Sequence, residues 1–248
     1  MKGGLKRVSI RVPAERAEKA RAAWLERFPE GFEEVDLGGE IELAAYTDHE
    51  APPGARVEDV DAGWEDRWRE FHRPVRVGPL WIGPPWERPP GDVVPLVIDP
   101  GRAFGTGAHA TTRLCLELVA ELEPQSILDI GCGSGVVAIA AAVLDFAPVV
   151  AVDVDPAAVE AATCNAARNG VGLDVRELDA LTAPLPSAAV IVANLTLVLV
   201  ESLIARVSAQ TVVTSGYLES DAPRLGPYDR IARRARGGWA ADLLERAQ

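Results

Sequence analysis

The chain has 248 residues, of which 48% are hydrophobic, and it carries a formal net charge of −12 at pH 7. This length and apolar content suit one large domain and one small domain, and they exclude a disordered protein. The acidic balance argues against general binding to nucleic-acid phosphates, which needs clustered Lys and Arg, so we expect no direct nucleic-acid binding. A basic protein partner is compatible with this charge.

The longest uninterrupted apolar run, residues 136–144, is far shorter than the roughly 20 residues that a bilayer requires. The N-terminus also lacks the apolar segment of a signal peptide. We therefore expect a cytoplasmic protein that does not contact a membrane. We also expect a monomer. Cys115, Cys132 and Cys164 have no CxxC spacing, so the sequence predicts reduced thiols, with neither a disulfide framework nor a metal site.

Residues 1–60 predict a small α+β domain. Pro13 opens a helical segment that extends to about Phe28, and Gly38-Gly39 separates two of the strands. The strands are predicted at residues 7–12, 32–36, 40–46 and 56–60. The Pro-containing stretch 46–53 breaks the pattern, and we place the end of this domain near residue 60.

Residues 61–80 predict a linker helix and the start of a hairpin, and residues 81–248 predict the larger domain. In the helix, Trp64, Trp68 and Phe71 fall at i, i+4 and i+7 and form an aromatic stripe. The stripe favours a helix that docks by this face, with a substrate groove as the alternative. The hairpin strands are predicted at 75–77 and 80–82 around Gly78-Pro79.

A strand predicted at 93–98 leads into the loop 99–112, which reads D-P-G-R-A-F-G-T-G-A-H-A-T-T and precedes a helix from about Thr112 to Leu122. Gly101, Gly105 and Gly107 in one loop suit close approach to a ligand. A simple connection with turn glycines is the alternative interpretation.

The stretch 126–155 organises the larger domain. A buried strand at 126–130 runs into the glycine-rich turn 131–135 (G-C-G-S-G), an apolar helix follows, and a second strand at 149–152 ends on Asp153. The glycines permit close backbone approach, and an acid about 20 residues further on can accept hydrogen bonds from ribose hydroxyls. The third glycine comes one residue earlier than in the dinucleotide fingerprint, so a nucleoside without a pyrophosphate is favoured. A ligand-free strand-turn-helix is the alternative.

The rest of the chain continues the alternation of strand and helix. Asp155, Pro156 and Asn169-Gly170 predict a helix over 156–169. Further strands are predicted at 174–178, 189–193, 211–214, 228–235 and 239–244, with a helix at 197–207. Asp179 and Asn194 follow strands at their carboxyl ends, where ligands bind in open α/β sheets. The pattern predicts an α/β fold with a mostly parallel sheet.

With these residues placed, the chain resembles the class I S-adenosylmethionine-dependent methyltransferases, and more narrowly the bacterial methyltransferases of the large-subunit ribosomal protein L11. The matching stretches lie between Trp81 and Leu218: W-I-G-P-P-W, D-P-G-R-A-F-G-T-G-A-H-A-T-T, D-I-G-C-G-S-G, V-D-V-D-P-A-A-V with N-A-A-R-N-G-V, V-A-N-L and S-G-Y-L. The resemblance implies a Rossmann-like domain with a seven-stranded sheet, preceded by a small ferredoxin-like domain that recognises the substrate.

The resemblance also implies S-adenosylmethionine as the cofactor and assigns roles to individual residues. The implied cofactor-binding residues are Phe104, Thr111, Gly131, Gly133, Asp153 and Asn194, with Asp179 near the adenine amine. Asp153 would take the ribose hydroxyls, and Asn194, between cofactor and acceptor, is the candidate catalytic residue. For His109, a loop-stabilising role is favoured over that of a general base.

The implied reaction is N-methylation of lysine side chains, the N-terminal α-amine, or both, on ribosomal protein L11, a basic substrate. Methylation of another protein lysine, a small molecule or an RNA base is an alternative, and a non-catalytic nucleoside-binding module is another. Leu195-Thr196 follows Asn194 where many base and glutamine methyltransferases have Pro-Pro-aromatic, which disfavours flat acceptors. The one basic cluster, residues 230–236, is interpreted as a solvated face.

Overall fold

A computed structural model describes residues 6–28, 32–47, 50–59, 73–99 and 107–247. The chain divides into two compact units, Met1–Phe71 and His72–Gln248, which are described separately. The predicted linker helix with its aromatic stripe and Phe104 both lie outside the described residues. The division between the units falls within the segment 61–80, and the functional roles assigned to 1–60, 61–80 and 81–248 stay predictions.

Within its described residues, the first unit contains a four-stranded antiparallel sheet and one α-helix. Its elements are β1 (Lys6–Pro13), a 3-10 turn (Ala14–Arg16), α1 (Ala17–Arg27), β2 (Glu33–Asp36), β3 (Glu40–Thr47) and β4 (Arg56–Asp59). The strand order is β2-β3-β1-β4. Helix α1 packs on β1 and β3, where Val8, Trp24 and Leu43 are buried. The four predicted strands are confirmed, and the assignment as ferredoxin-like stays a prediction, because residues 50–55 contain no second helix.

The second unit begins with a three-stranded sheet. Its strands are β5 (Val75–Val77), β6 (Leu80–Gly83) and β7 (Val94–Val97), in the order β5-β6-β7. The hairpin of β5 and β6 is antiparallel, as predicted, and β7 pairs with β6 in parallel. The strand that leads into the glycine-containing loop therefore belongs to this small sheet and not to the main one.

The main sheet of the second unit has seven strands. They are β8 (Ile127–Ile130), β9 (Val149–Asp153), β10 (Asp174–Glu177), β11 (Val190–Asn194), β12 (Thr211–Leu218), β13 (Tyr228–Arg236) and β14 (Trp239–Arg246). Their order is β10-β9-β8-β11-β12-β14-β13. The first five are parallel, and β14 and β13 are antiparallel to their neighbours. The predicted α/β fold with a mostly parallel seven-stranded sheet is confirmed.

Four helices accompany this sheet: α2 (Ala110–Val119), α3 (Val136–Val143), α4 (Pro156–Arg168) and α5 (Leu197–Ile204). The predicted cap of α4 is confirmed, because the Asp155 carboxylate accepts a hydrogen bond from the Ala157 N–H at 2.9 Å and Pro156 is the first helical residue. The ends of α2 and α5 come three residues earlier than predicted. In the described part of the chain, no helix combines the length and apolar content that crossing a bilayer demands.

The order of the strands identifies where a ligand would bind. From β8 the chain moves outward through β9 and β10, and it then returns to place β11 on the other side of β8. This reversal between β8 and β11 is a topological switch point, and ligands of open α/β sheets bind at the carboxyl ends of the strands beside it. Gly131 follows β8 there, and Asn194 is the last residue of β11.

Candidate functional site

The glycine-rich turn after β8 adopts a backbone that side chains would obstruct. Gly131, Gly133 and Gly135 all have left-handed φ values, of 72°, 52° and 80°. A Cβ atom at Gly131 would lie 2.5 Å from Leu195 Cδ2, and one at Gly135 would lie 2.9 Å from the Cβ of Ala162. Both separations are shorter than van der Waals contact. The backbone conformation therefore favours glycine at all three positions, and at Gly135 the backbone and Cβ of Ala162 also leave no space for a side chain.

Asp153 at the end of β9 is held against this turn. Its carboxylate accepts a hydrogen bond from the Gly133 N–H at 2.9 Å and another from the Asp155 N–H at 3.0 Å. The structure therefore brings together Asp153 and Gly133, which were predicted to contact the same ligand. Each carboxylate oxygen keeps a further lone pair for a hydroxyl donor.

Asn194 lies beside the start of α2. Its Nδ2 donates to Thr112 Oγ1 at 3.5 Å, and both Thr111 and Thr112 are buried. His109 caps this helix, because its Nδ1 lies 2.8 Å from Thr111 Oγ1 and accepts from the Thr111 N–H at 3.4 Å. The imidazole also packs edge-on against the Trp239 ring at 4.9 Å between centroids. This geometry favours the loop-stabilising role of His109.

Leu195, which the sequence analysis did not select, connects three parts of the site. Its side chain occupies the space over Gly131, and its N–H donates to the Ser215 carbonyl oxygen at 3.0 Å. A Cβ atom at Gly216 would lie 2.1 Å from the Leu195 carbonyl oxygen. Gly216 sits where the register of β12 against β14 shifts, in a β-bulge. The glycine in S-G-Y-L was the only sequence signal for this contact.

Asp129 is a second residue that the sequence analysis missed. It lies in the middle of β8, is buried, and accepts a hydrogen bond from the Ala138 N–H at 3.2 Å. Burial raises the pKa of its carboxyl to about 7, the Ala138 hydrogen bond opposes the shift, and the charge of Asp153 adds to it. A single acid within the apolar strand I-L-D-I was the available signal.

Asp179 and the cysteines, two further features of the sequence analysis, can be located in the structure. The Asp179 carboxylate accepts hydrogen bonds from the Leu181 N–H and the Thr182 hydroxyl, which hold its pKa below the ordinary value. Its predicted contact with adenine stays a prediction. All three cysteines are free, and burial raises the pKa of the Cys132 thiol well above its usual range, so this thiol is not an activated nucleophile.

The basic cluster at residues 230–236 is paired with carboxylates. Arg230 Nε lies 3.0 Å from Asp242 Oδ1, Arg236 Nη2 lies 2.7 Å from Glu117 Oε1, and Arg234 pairs with Glu121. The interpretation as a solvated face was thus incomplete, because these arginines bind β14 and α2. Among the described residues, no group of three His, Cys, Asp or Glu side chains is arranged to hold a metal ion.

Comparisons with known proteins find similar sequences. The family model described as "Ribosomal protein L11 methyltransferase (PrmA)" matches residues 32–225. A protein named ribosomal protein L11 methyltransferase from Symbiobacterium thermophilum is 48% identical over 128 residues, which are 48% of this chain and 40% of that protein. One of the same name from Legionella pneumophila (strain Lens) is 40% identical over 202 residues, covering 73% of this chain and 68% of that protein.

A solved structure supports the same similarity. The ribosomal protein L11 methylase from Lactobacillus delbrueckii subsp. bulgaricus aligns with a TM-score of 0.65 and 27% sequence identity, covering 71% of this chain and 100% of that one. The chain spans less than half the length of the Symbiobacterium relative in their alignment.

Proposed function

The chain belongs to the family of ribosomal protein L11 methyltransferases, and from this membership we propose that it is an S-adenosylmethionine-dependent enzyme that N-methylates amines of ribosomal protein L11. The acceptors are lysine side chains, the N-terminal α-amine, or both. The observation that carries the proposal is the 2.9 Å hydrogen bond from the Gly133 N–H to the Asp153 carboxylate, which joins the glycine-rich turn and the acid at the switch point of the sheet.

The residues at this edge fit S-adenosylmethionine. The cofactor carries a cationic sulfonium and an ammonium group, and the carboxylate of Asp153 at the end of β9 supplies negative potential. Asp153 has acceptor capacity left for ribose hydroxyls. Gly131 and Gly133 would approach the amino-acid end, Thr111 would line the site, and Phe104 would contribute from the preceding loop.

When bound, the cofactor would supply an electrophilic methyl group for transfer to the amine nitrogen, with sulfur keeping the bonding electron pair. Asn194 would hold that amine. Its Nδ2 points to Thr112 Oγ1, so its Oδ1, which no described residue reaches by a hydrogen bond, is the acceptor for an amine N–H. A hydrogen bond from the amine N–H to Asn194 Oδ1 would direct the nitrogen lone pair at the methyl carbon. Holding two reacting groups in this orientation supplies much of the rate enhancement.

The acceptor must be neutral before it can attack. A lysine amine with a pKa near 10.4 is about one part in a thousand neutral at pH 7, and an α-amine with a pKa near 8 is about one part in ten. An amide cannot remove the remaining proton, so Asn194 orients the amine without acting as a base. Turnover on lysine should therefore rise with pH throughout the neutral range.

Substrate choice is proposed to reside in residues 1–60, with 61–80 as the linker and 81–248 as the catalytic part. A net charge of −12 favours encounter with a basic partner. Absence of direct nucleic-acid binding, a monomeric state and a cytoplasmic location remain parts of the same proposal.

The test is incubation of the full chain with methyl-labelled S-adenosylmethionine and intact ribosomal protein L11, followed by location of the label by mass spectrometry. Label on amines of the protein is expected, and the absence of label from ribosomal protein L11 would reject this substrate. Asp153→Ala should weaken cofactor binding tens-fold or more, corresponding to about 2–3 kcal/mol for a charge-assisted contact. Asn194→Ala should lower turnover more than cofactor affinity.

A further inference from the structure

Two asparagines of α4 and its C-cap bind the backbone at the end of β7. Asn169 donates from Nδ2 to the Val97 carbonyl oxygen at 2.8 Å and accepts at Oδ1 from the Val97 N–H at 2.8 Å. Four residues earlier, Asn165 accepts at Oδ1 from the Asp99 N–H at 2.9 Å and donates to the Asp99 carbonyl oxygen at 3.4 Å. Residues four apart share one helix face, so the pair binds alternate residues of an extended backbone as a neighbouring strand would.

Asn165 makes a further contact that Asn169 does not. Its Nδ2 donates to the Ser134 carbonyl oxygen at 3.0 Å, within the glycine-rich turn. Its Oδ1 also accepts from Arg168 Nη1 at 3.0 Å. An asparagine amide offers two N–H donors and two acceptor lone pairs, and all four are used here. The side chain is 1% exposed, so water cannot replace a lost partner.

These contacts join the two segments that were assigned to the cofactor. Asp99 is the first residue of the sequence stretch 99–112, in which Phe104 and Thr111 were assigned to the cofactor. Ser134 lies between Gly133 and Gly135. A buried side chain bonded to both Asp99 and Ser134 therefore fixes the distance between the start of one segment and the middle of the other.

We propose that Asn165 is a positioning residue of the cofactor site, which holds the glycine-rich turn at Ser134 against the backbone of Asp99 and so keeps the turn in the shape that binds the ligand. Asn169 binds the end of β7 at Val97 and donates from Nδ2 to the Asn165 carbonyl oxygen at 2.8 Å, and it forms no hydrogen bond with the glycine-rich turn in the described residues. The inference rests on the proposed function, because it takes S-adenosylmethionine or its product S-adenosylhomocysteine as that ligand.

The matched pair Asn165→Asp and Asn169→Asp tests the assignment by calorimetry with S-adenosylhomocysteine. Each change keeps the oxygen that accepts from β7 and removes the N–H donors, but only Asn165→Asp removes the bond to the glycine-rich turn. We expect affinity to fall at least tenfold for Asn165→Asp and less than threefold for Asn169→Asp. Equal losses of affinity, or unchanged affinity in both folded variants, would overturn the proposal.

Hydrogen exchange of the parent protein gives a second test that does not depend on the folding of a variant. S-adenosylhomocysteine should slow exchange in residues 131–135 and also at the Val97 and Asp99 amides. Protection of the glycine-rich turn without any change at Asp99 would overturn the positioning role. If the parent does not bind S-adenosylhomocysteine at all, the proposed function itself fails, so the two failures are distinguishable.

Discussion

The parallel and antiparallel parts of the main sheet each contain a buried aspartate, but among the described residues only the aspartate of the antiparallel part is paired with arginines. In the antiparallel part, Asp242 of β14 accepts from the Tyr217 hydroxyl at 3.0 Å and pairs with Arg230, with Arg233 Nε at 3.8 Å. In the parallel part, Asp129 of β8 forms no ion pair with a described residue, and its neighbouring charge is the like charge of Asp153.

This difference indicates that the antiparallel strands have a structural role and that the parallel strands carry the ligand site. The antiparallel hairpin balances the charge of its buried acid with its own arginines, without a ligand. The parallel part keeps an uncompensated acid next to the switch point, where burial makes the charge costly. A cationic ligand at this edge would reduce that cost, which is consistent with the cofactor proposed for the site.

The largest expected effect comes from removing the titration of Asp129. Because the folded state raises its pKa from 3.8 to about 7, the folded protein holds a proton that the unfolded chain has lost between those values. The free energy of unfolding therefore falls as pH rises from about 4 to about 7, by an amount on the order of 4 kcal/mol. In Asp129→Asn this slope should be absent, as measured by urea unfolding of the ligand-free protein at several pH values.

Asp179→Asn is the control for this measurement. The pKa of Asp179 is lowered, so its contribution is present at neutral pH and is lost as pH falls, the opposite sign. If the stability difference between parent and Asp129→Asn were constant from pH 4 to pH 8, Asp129 would not be the uncompensated acid described here.

A steric change at the edge of the parallel part should have the next largest effect. Gly216→Ala places a methyl group 2.1 Å from the Leu195 carbonyl oxygen at a φ of +98°, so Leu195 and the preceding Asn194 must move. We expect a loss of about 3 kcal/mol in stability and at least a tenfold loss of turnover. Gly237 in the β13–β14 turn has a φ of +58°, but no atom lies within 4 Å of the Cβ that Gly237→Ala would add. We therefore expect this variant to lose about 1 kcal/mol of stability and to keep normal turnover. Similar turnover in the two variants would contradict the coupling through Leu195.

Breaking the charge network of the hairpin should have a moderate effect. Asp242→Ala leaves Arg230 and Arg233 without their buried partner. Because the two arginine side chains are 33% and 23% exposed, we expect the free energy of unfolding to fall by about 2 kcal/mol, which is less than for a fully buried pair. Glu201→Ala, which removes the partner of the well-exposed Arg224, should leave the urea midpoint nearly unchanged. Equal shifts of the urea midpoint in the two variants would show that the burial of Asp242 does not strengthen its ion pairs.

The smallest effect is expected at the surface between β13 and α2. Arg234 pairs with Glu121, whose side chain is 61% exposed, and this contact lowers the pKa of Glu121. Glu121→Gln should reduce the melting temperature only slightly, and the difference should disappear near 1 M salt, where the Debye length is about 3 Å. A difference that persists in high salt would mean that packing, and not charge, accounts for it.

Much of this architecture could be predicted because its signals are local. The cap at Asp155-Pro156, the glycine turn after β8, and the polar ends Asp153 and Asn194 are each encoded within a few neighbouring residues. The structure confirms these elements. The roles of Asn194 and of the cofactor-binding residues remain predictions from resemblance.

What escaped prediction depends on residues that are distant in sequence. Asn165 and Asp99 are 66 positions apart, and nothing local indicates that a helical asparagine binds a strand end. Strand β12 continues to Leu218, beyond the predicted end at Thr214, because the bulge at Gly216 lets it keep pairing with β14. The sequence predicted that the arginines of 230–236 are solvated, because their partners Glu117, Glu121 and Asp242 lie in other elements.

The position of β14 has a consequence for biosynthesis. It follows β13 in the chain, yet it lies between β12 and β13 in the sheet. A polypeptide emerging from the ribosome in the N-to-C direction therefore exposes β13, with its four arginines, before the strand that carries Asp242 exists. Until β14 has emerged from the ribosome, β13 has no neighbour to pair with, so β13 and β14 join the sheet together.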